Sequence, residues 1–118
     1  MNKSAVLKER LLDFAANTIE WATAQQIPRS ILDQITRSSS SIGANYNEAL
    51  NASSKTDFRN KIYIAKKETA ETDYWMKLIT RMRPEAKNDE LQLECHHILM
   101  IFQKTVNTIN DQRNRKDQ

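Results

Sequence analysis

Glycine occurs once in the 118 residues and proline twice. That scarcity excludes a β-sandwich, a β-barrel or a glycine-rich phosphate loop, because tight turns and close backbone approach to phosphate require these residues. Cysteine also occurs once, as Cys95, so no internal disulfide framework exists and a reducing, cytoplasmic location is expected. No apolar run approaches the roughly 18 residues of a membrane span. Met1-Asn2-Lys3-Ser4 leads into a charged, patterned segment rather than a secretory apolar core. The excess of positive charge is small, +3 from 18 Lys and Arg against 15 Asp and Glu, too little by itself to indicate a nucleic-acid binder. The length suits one domain over residues 1–118.

What remains is helical periodicity. Leu7, Leu11, Phe14, Thr18 and Trp21 recur at steps of four and three, which predicts a helix from about Ser4 to Gln26. After Pro28, Ser30 with Asp33 resembles a capping pair, and a second helix starts near Arg29 with Ile31, Ile35, Ser38, Ile42, Asn45 and Ala49 on its face. The polar stretch Asn51-Ala52-Ser53-Ser54 ends it. A third helix, capped by Ser54 with Asp57, carries Phe58, Ile62, Ala65, Thr69, Thr72, Met76 and Ile79 and stops at Pro84. A fourth begins near Asn88-Asp89-Glu90 with Leu91, Cys95, Ile98, Phe102, Val106 and Ile109 on its face, and residues 113–118 read as a frayed tail. Long segments with short connections predict an all-α, antiparallel, up-down-up-down four-helix bundle.

Beside these apolar stripes run unusual polar ones. Arg37, Ser41, Asn45 and Glu48 fall on one side of the second helix, and Glu68 and Glu71 occupy a second stripe of the third with Ile64, Trp75, Leu78 and Met82. One reading is a solvated face. The preferred one is an interhelical network in which Arg37 pairs with Glu48, Glu68 or Glu71 and the Asn45 amide bonds across the bundle, fixing register at about 1–3 kcal/mol per stranded polar group. Ser38 to Ser41 form no nucleophile elbow and suit close helix approach. A di-metal site needs the Glu-x-x-His motif on two helices; Glu94 and His97 supply it once, so no metal or other cofactor is expected. Cys95 sits on an apolar stripe as a buried thiol without a positioned base, and no enzymatic activity is expected.

The charge is uneven. Lys55 to Lys87 holds nine basic residues against five acidic, leaving the remainder at −1. Arg59, Lys66, Lys77 and Arg81, with Tyr63, Tyr74 and Trp75 nearby, are candidates for phosphate contact and base stacking. The alternative is an ordinary solvated face with aromatic bodies under lysine stems. Leu12, Ile19, Leu32, Tyr46, Leu50, Leu93, Met100 and Ile101 lie off the main stripes, which predicts association between subunits.

Three stretches, Arg37 to Glu48 (RSSSSIGANYNE), Ser54 to Phe58 (SKTDF) and Ile64 to Trp75 (IAKKETAETDYW), resemble the four-helix-bundle proteins named for reading frames in intervening sequences of bacterial 23S ribosomal RNA genes. Gly43 stands where many relatives have proline, and Asn47-Glu48-Ala49 where many have Ala-Glu-Gly. The resemblance implies an antiparallel bundle assembling as a homopentameric ring, and similarity to an accessory protein of diversity-generating retroelements. That relative associates with a reverse transcriptase and nucleic acid. By the same resemblance Arg37, Ser41, Asn45, Glu48, Glu68 and Glu71 are architectural positions. The functional expectation is a non-enzymatic oligomeric scaffold that binds RNA or DNA through the basic residues of the third helix and the tail. The competing expectation is a protein-binding adaptor without a nucleic-acid role.

Overall fold

In the computed structural model, which describes residues 1–116, four helices account for nearly the whole chain: α1 (Lys3–Thr23), α2 (Arg29–Leu50), α3 (Lys55–Met82) and α4 (Asp89–Lys116). A short 3-10 turn, Pro84–Ala86, joins the last two. Each helix packs on its neighbours in chain order, and α4 closes back on α1 with the thinnest packing of the four seams. The result is an antiparallel four-helix bundle, a rod of 52 × 27 × 24 Å. Among the described residues there is no strand.

The helix starts follow side-chain capping, with one exception. Asn2 Oδ1 accepts from the Ala5 amide at 2.8 Å, Ser54 Oγ from Asp57 at 3.0 Å and Asn88 Oδ1 from Leu91 at 3.0 Å. The exception is α2, whose Ser30 lies inside the helix rather than at its cap. Pro28, fixed at φ −55°, starts the helix there, and Asp33 pairs with Arg29 at 3.0 Å instead of completing a cap. α1 ends at Thr23, three residues before the expected Gln26, with the Gln25 amide folding back to donate to the Trp21 carbonyl at 3.0 Å. The tail also departs from expectation: Arg113 to Lys116 continue α4 as helix, and their basic side chains suit its negative end. Residues 117–118 of the expected frayed tail lie outside the described residues.

The apolar stripes form the core as expected, with Leu11, Phe14, Ile35, Ile42, Ile62, Met76, Ile79, Ile98 and Phe102 almost completely buried. Tyr46 joins them rather than facing outward; its ring meets that of Phe102 edge-on at 6.0 Å. Small residues bring α1 and α2 close, since a Cβ on Gly43 would stand 3.4 Å from Leu11 Cβ. The interior also holds a layer of hydroxyls. Ser38, Ser39, Thr18, Thr69 and Thr72 are fully buried, and the Thr72 and Ser38 hydroxyls bridge α3 to α2 by a hydrogen bond of 2.9 Å. Cys95 is enclosed with them, its Sγ 3.6 Å from the Thr69 carbonyl, and burial pushes its thiol up to about 12.

Candidate nucleic-acid interface

Antiparallel packing of α2 on α3 sets which polar residues meet. Arg37, in the middle of α2, reaches two carboxylates one turn apart on α3, donating from Nη1 to Glu68 at 2.9 Å and from Nη2 to Glu71. Glu71 is held below the ordinary carboxylate range by the Arg37 guanidinium, with support from Trp75 Nε1 at 3.3 Å. Eleven residues further along α2, and correspondingly earlier on α3, Glu48 meets Lys61 at 3.1 Å rather than Arg37. Asn45 does not reach across the bundle. Its amide donates to the Ser41 carbonyl at 2.8 Å, and Ser41 Oγ donates to the Arg37 carbonyl at 2.7 Å, so both stay within α2. The expected six-residue network is therefore an Arg37–Glu68–Glu71 clamp plus a separate Lys61–Glu48 pair. With 46% of the Arg37 side chain exposed, the clamp lies at the edge of the core and contributes about 1 kcal/mol rather than the cost of stranded buried groups.

Sequence periodicity missed the links to α4 and α1. Arg10 donates to both oxygens of Glu94, at 2.7 and 2.6 Å, tying α1 to α4 where packing is thinnest. The Gln92 amide donates to Asp73, and the Tyr63 hydroxyl donates to Asn110 at 2.9 Å. Trp21 Nε1 donates to the Ala86 carbonyl at 2.7 Å and anchors the 3-10 turn. These partners are 19 to 84 residues apart in the chain, so only the bundle's register could have paired them. Glu94, the single carboxylate of the metal-like motif, is thereby occupied by Arg10. Among the described residues no three His, Cys, Asp or Glu side chains are placed to hold a metal ion.

The four basic candidates lie along one edge of α3, because their spacings of seven, eleven and four residues keep them within about a sixth of a turn of one line. They form a line, not a cluster: Arg59 and Arg81 are about 33 Å apart along the helix at 1.5 Å per residue. Lys77 and Arg81 share a cleft near Pro84 and Asn88, and Lys77 is paired with Asp73 at 2.8 Å. Among the described residues, Arg59, Lys66 and Arg81 make no salt bridge. The aromatic residues divide. Trp75 turns to the α2 side beside Glu71, whereas Tyr74 stands 59% exposed with its ring edge-on to Trp75 at 5.1 Å.

Arg59 sits in a second setting that the sequence did not reveal. The last turn of α4 meets the α2–α3 connection at one end of the rod and encloses a groove of about 850 Å³. Lys55, Arg59, Arg113, Arg115 and Lys116 line it, and among the described residues no carboxylate does.

The sequence matches a known family over most of the chain. The family model described as 23S rRNA-intervening sequence protein matches residues 6–104. The chain belongs to this family. A solved structure of a protein of unknown function from the S23 ribosomal protein family of Bacteroides thetaiotaomicron VPI-5482 superposes with a TM-score of 0.77 at 32% identity. The match covers 90% of this chain and 99% of that one. No curated protein matches. Within the 23S rRNA-intervening sequence protein family segment fall the Arg37 clamp, the Lys61–Glu48 pair and all four basic positions of α3, whereas Arg113, Arg115 and Lys116 lie beyond it.

Proposed function

We propose that this protein is a non-enzymatic, self-associating scaffold that binds nucleic acid by phosphate contacts along the basic edge of α3. The observation that carries this reading is the line of Arg59, Lys66 and Arg81 on one helix edge, outside the salt bridges that hold the bundle together. Such an arrangement suits a repeating polyanion, since each cation can replace a condensed counterion. The buried thiol of Cys95 and the arginine-clamped carboxylates of Glu68, Glu71 and Glu94 are committed to structure, which supports a binding role over catalysis. Self-association is supported by Leu12, Leu93 and Met100, each more than half exposed on the outer faces of α1 and α4. A closed homopentamer is the assembly the family resemblance implies, a reverse transcriptase is the protein partner it suggests, and a cytoplasmic location belongs to the same reading.

The test is a titration of labelled RNA and duplex DNA at two salt concentrations, with Lys66→Glu/Arg81→Glu as control. Micromolar binding that weakens steeply with salt, and further in the variant, is the expected result. Absent binding at low salt, or affinity indifferent to salt, refutes it. The exposed apolar residues favour the adaptor as the second reading: specific capture of a protein that survives nuclease treatment, with no oligonucleotide binding, would establish it.

A further inference from the structure

We propose that the groove at the α4 end of the rod is a seat for single-stranded nucleic acid, in which phosphates meet the basic rim and unstacked bases lie on an apolar floor. This inference rests on the nucleic-acid reading above and names the strand form that this end accepts. Its first support is charge. Five cations from two elements distant in sequence, Lys55 and Arg59 of α3 with Arg113, Arg115 and Lys116 of α4, line a single groove. None of the five forms a salt bridge among the described residues. Several cations elsewhere stand against carboxylates, as in Arg10–Glu94, Arg37–Glu68 and Lys77–Asp73. Here, among the described residues, five are gathered without one. The Lys116 ammonium lies against that of Lys55, which holds it below the ordinary lysine range, a repulsion that a bound phosphate relieves.

The second support is the floor. Leu50, Phe58 and Ile109 line the same groove; Leu50 is 38% exposed, and Phe58 and Ile109 are half-buried. A duplex presents phosphates outward and keeps its base faces stacked, so it gains nothing from such a floor. A single strand has free base faces, and an apolar and aromatic surface beneath a cationic rim is the arrangement that receives them. Three of the five cations are arginines, whose planar guanidinium groups both fork onto phosphate and stack on bases. An acidic peptide with apolar side chains would share the charge but makes no use of that stacking.

The experiment measures binding of fluorescein-labelled dT12, a 12-base-pair hairpin duplex and a labelled acidic Leu/Glu octapeptide to the full chain. The same measurements are made on Arg113→Ala/Arg115→Ala and on Leu50→Glu, with helicity checked by circular dichroism. All substituted side chains are exposed at the end of the rod, and a folded arginine variant suffices if Leu50→Glu loses structure. We expect dT12 to bind about tenfold more tightly than the hairpin, with the arginine variant at least tenfold weaker. Its log Kd against log salt slope should fall by about 1.4, the value for two lost phosphate contacts on a single strand. In Leu50→Glu the preference for the single strand should disappear. Equal binding of dT12 and hairpin, unchanged in both variants, overturns the groove assignment while leaving nucleic-acid binding along α3 standing. Failure of both nucleic acids refutes both readings, and binding of the peptide alone reassigns the groove to a protein segment.

Discussion

Thr18 is the place where a single atom should cost measurable stability. It lies in the apolar stripe of α1, fully buried, and its Oγ1 is the one enclosed side-chain oxygen or nitrogen among the described residues with no hydrogen-bond partner. Thr69 and Thr72, equally buried, satisfy their hydroxyls on the Ala65 and Glu68 carbonyls of their own helix at 2.7 and 2.8 Å. A hydroxyl removed from water without compensation costs about 1–3 kcal/mol. Valine has nearly the same shape and helix propensity, so Thr18→Val removes that cost while filling the same space. The expected gain is about 1 kcal/mol, or about 3–5 °C in Tm for a chain of this size. Urea unfolding at fixed protein concentration measures it, and the slope should match wild type because the surface exposed on unfolding is unchanged. Thr18→Ser, which keeps the hydroxyl and deletes the methyl, should lose about 1 kcal/mol. A Thr18→Val protein that is less stable than wild type would refute the reasoning, since it would mean that the hydroxyl is satisfied by an enclosed water.

Two further outcomes follow from the polar pairs and the thiol. Glu94 is held below its ordinary value of 4.5 chiefly by its hydrogen bonds to Arg10. Its contribution is therefore complete above pH 4.5 and is lost as the pH falls through the lowered pKa. The Arg10 side chain is 37% exposed, so the pair is worth about 1 kcal/mol; Arg10→Met should remove that amount at pH 7 and little at pH 3, read by urea unfolding at both. Cys95, completely buried with its thiol pushed up to about 12, should resist a thiol reagent at pH 8 in the native protein and react fully in denaturant. Rapid native labelling would show that α4 opens away from α3 far more often than its packing suggests.

The stripes at steps of three and four, the single glycine and the two prolines determined four helices, their order and nearly all of their core faces without reference to three dimensions. Those features are local: each depends on 3.6 residues per turn and on which side chains avoid water. The Arg37 clamp was partly legible for the same reason, because its partners occupy stripes visible on each helix, but the choice among Glu48, Glu68 and Glu71 was not. That choice depends on how far α2 is displaced along α3, and the packing placed Arg37 against Glu68 and Glu71 and left Glu48 to Lys61. Tyr46, read as outward-facing, entered the core because Phe102 on another helix offered it a ring edge. The basic groove is the fullest case of this division. Lys55 and Arg59 are remote in sequence from Arg113, Arg115 and Lys116, and a tail read as frayed carries no position. Only when α4 runs on to Lys116 and antiparallel packing brings its last turn to the start of α3 do five like charges share one surface, because long-range register is set by the whole interface and not by any one helix.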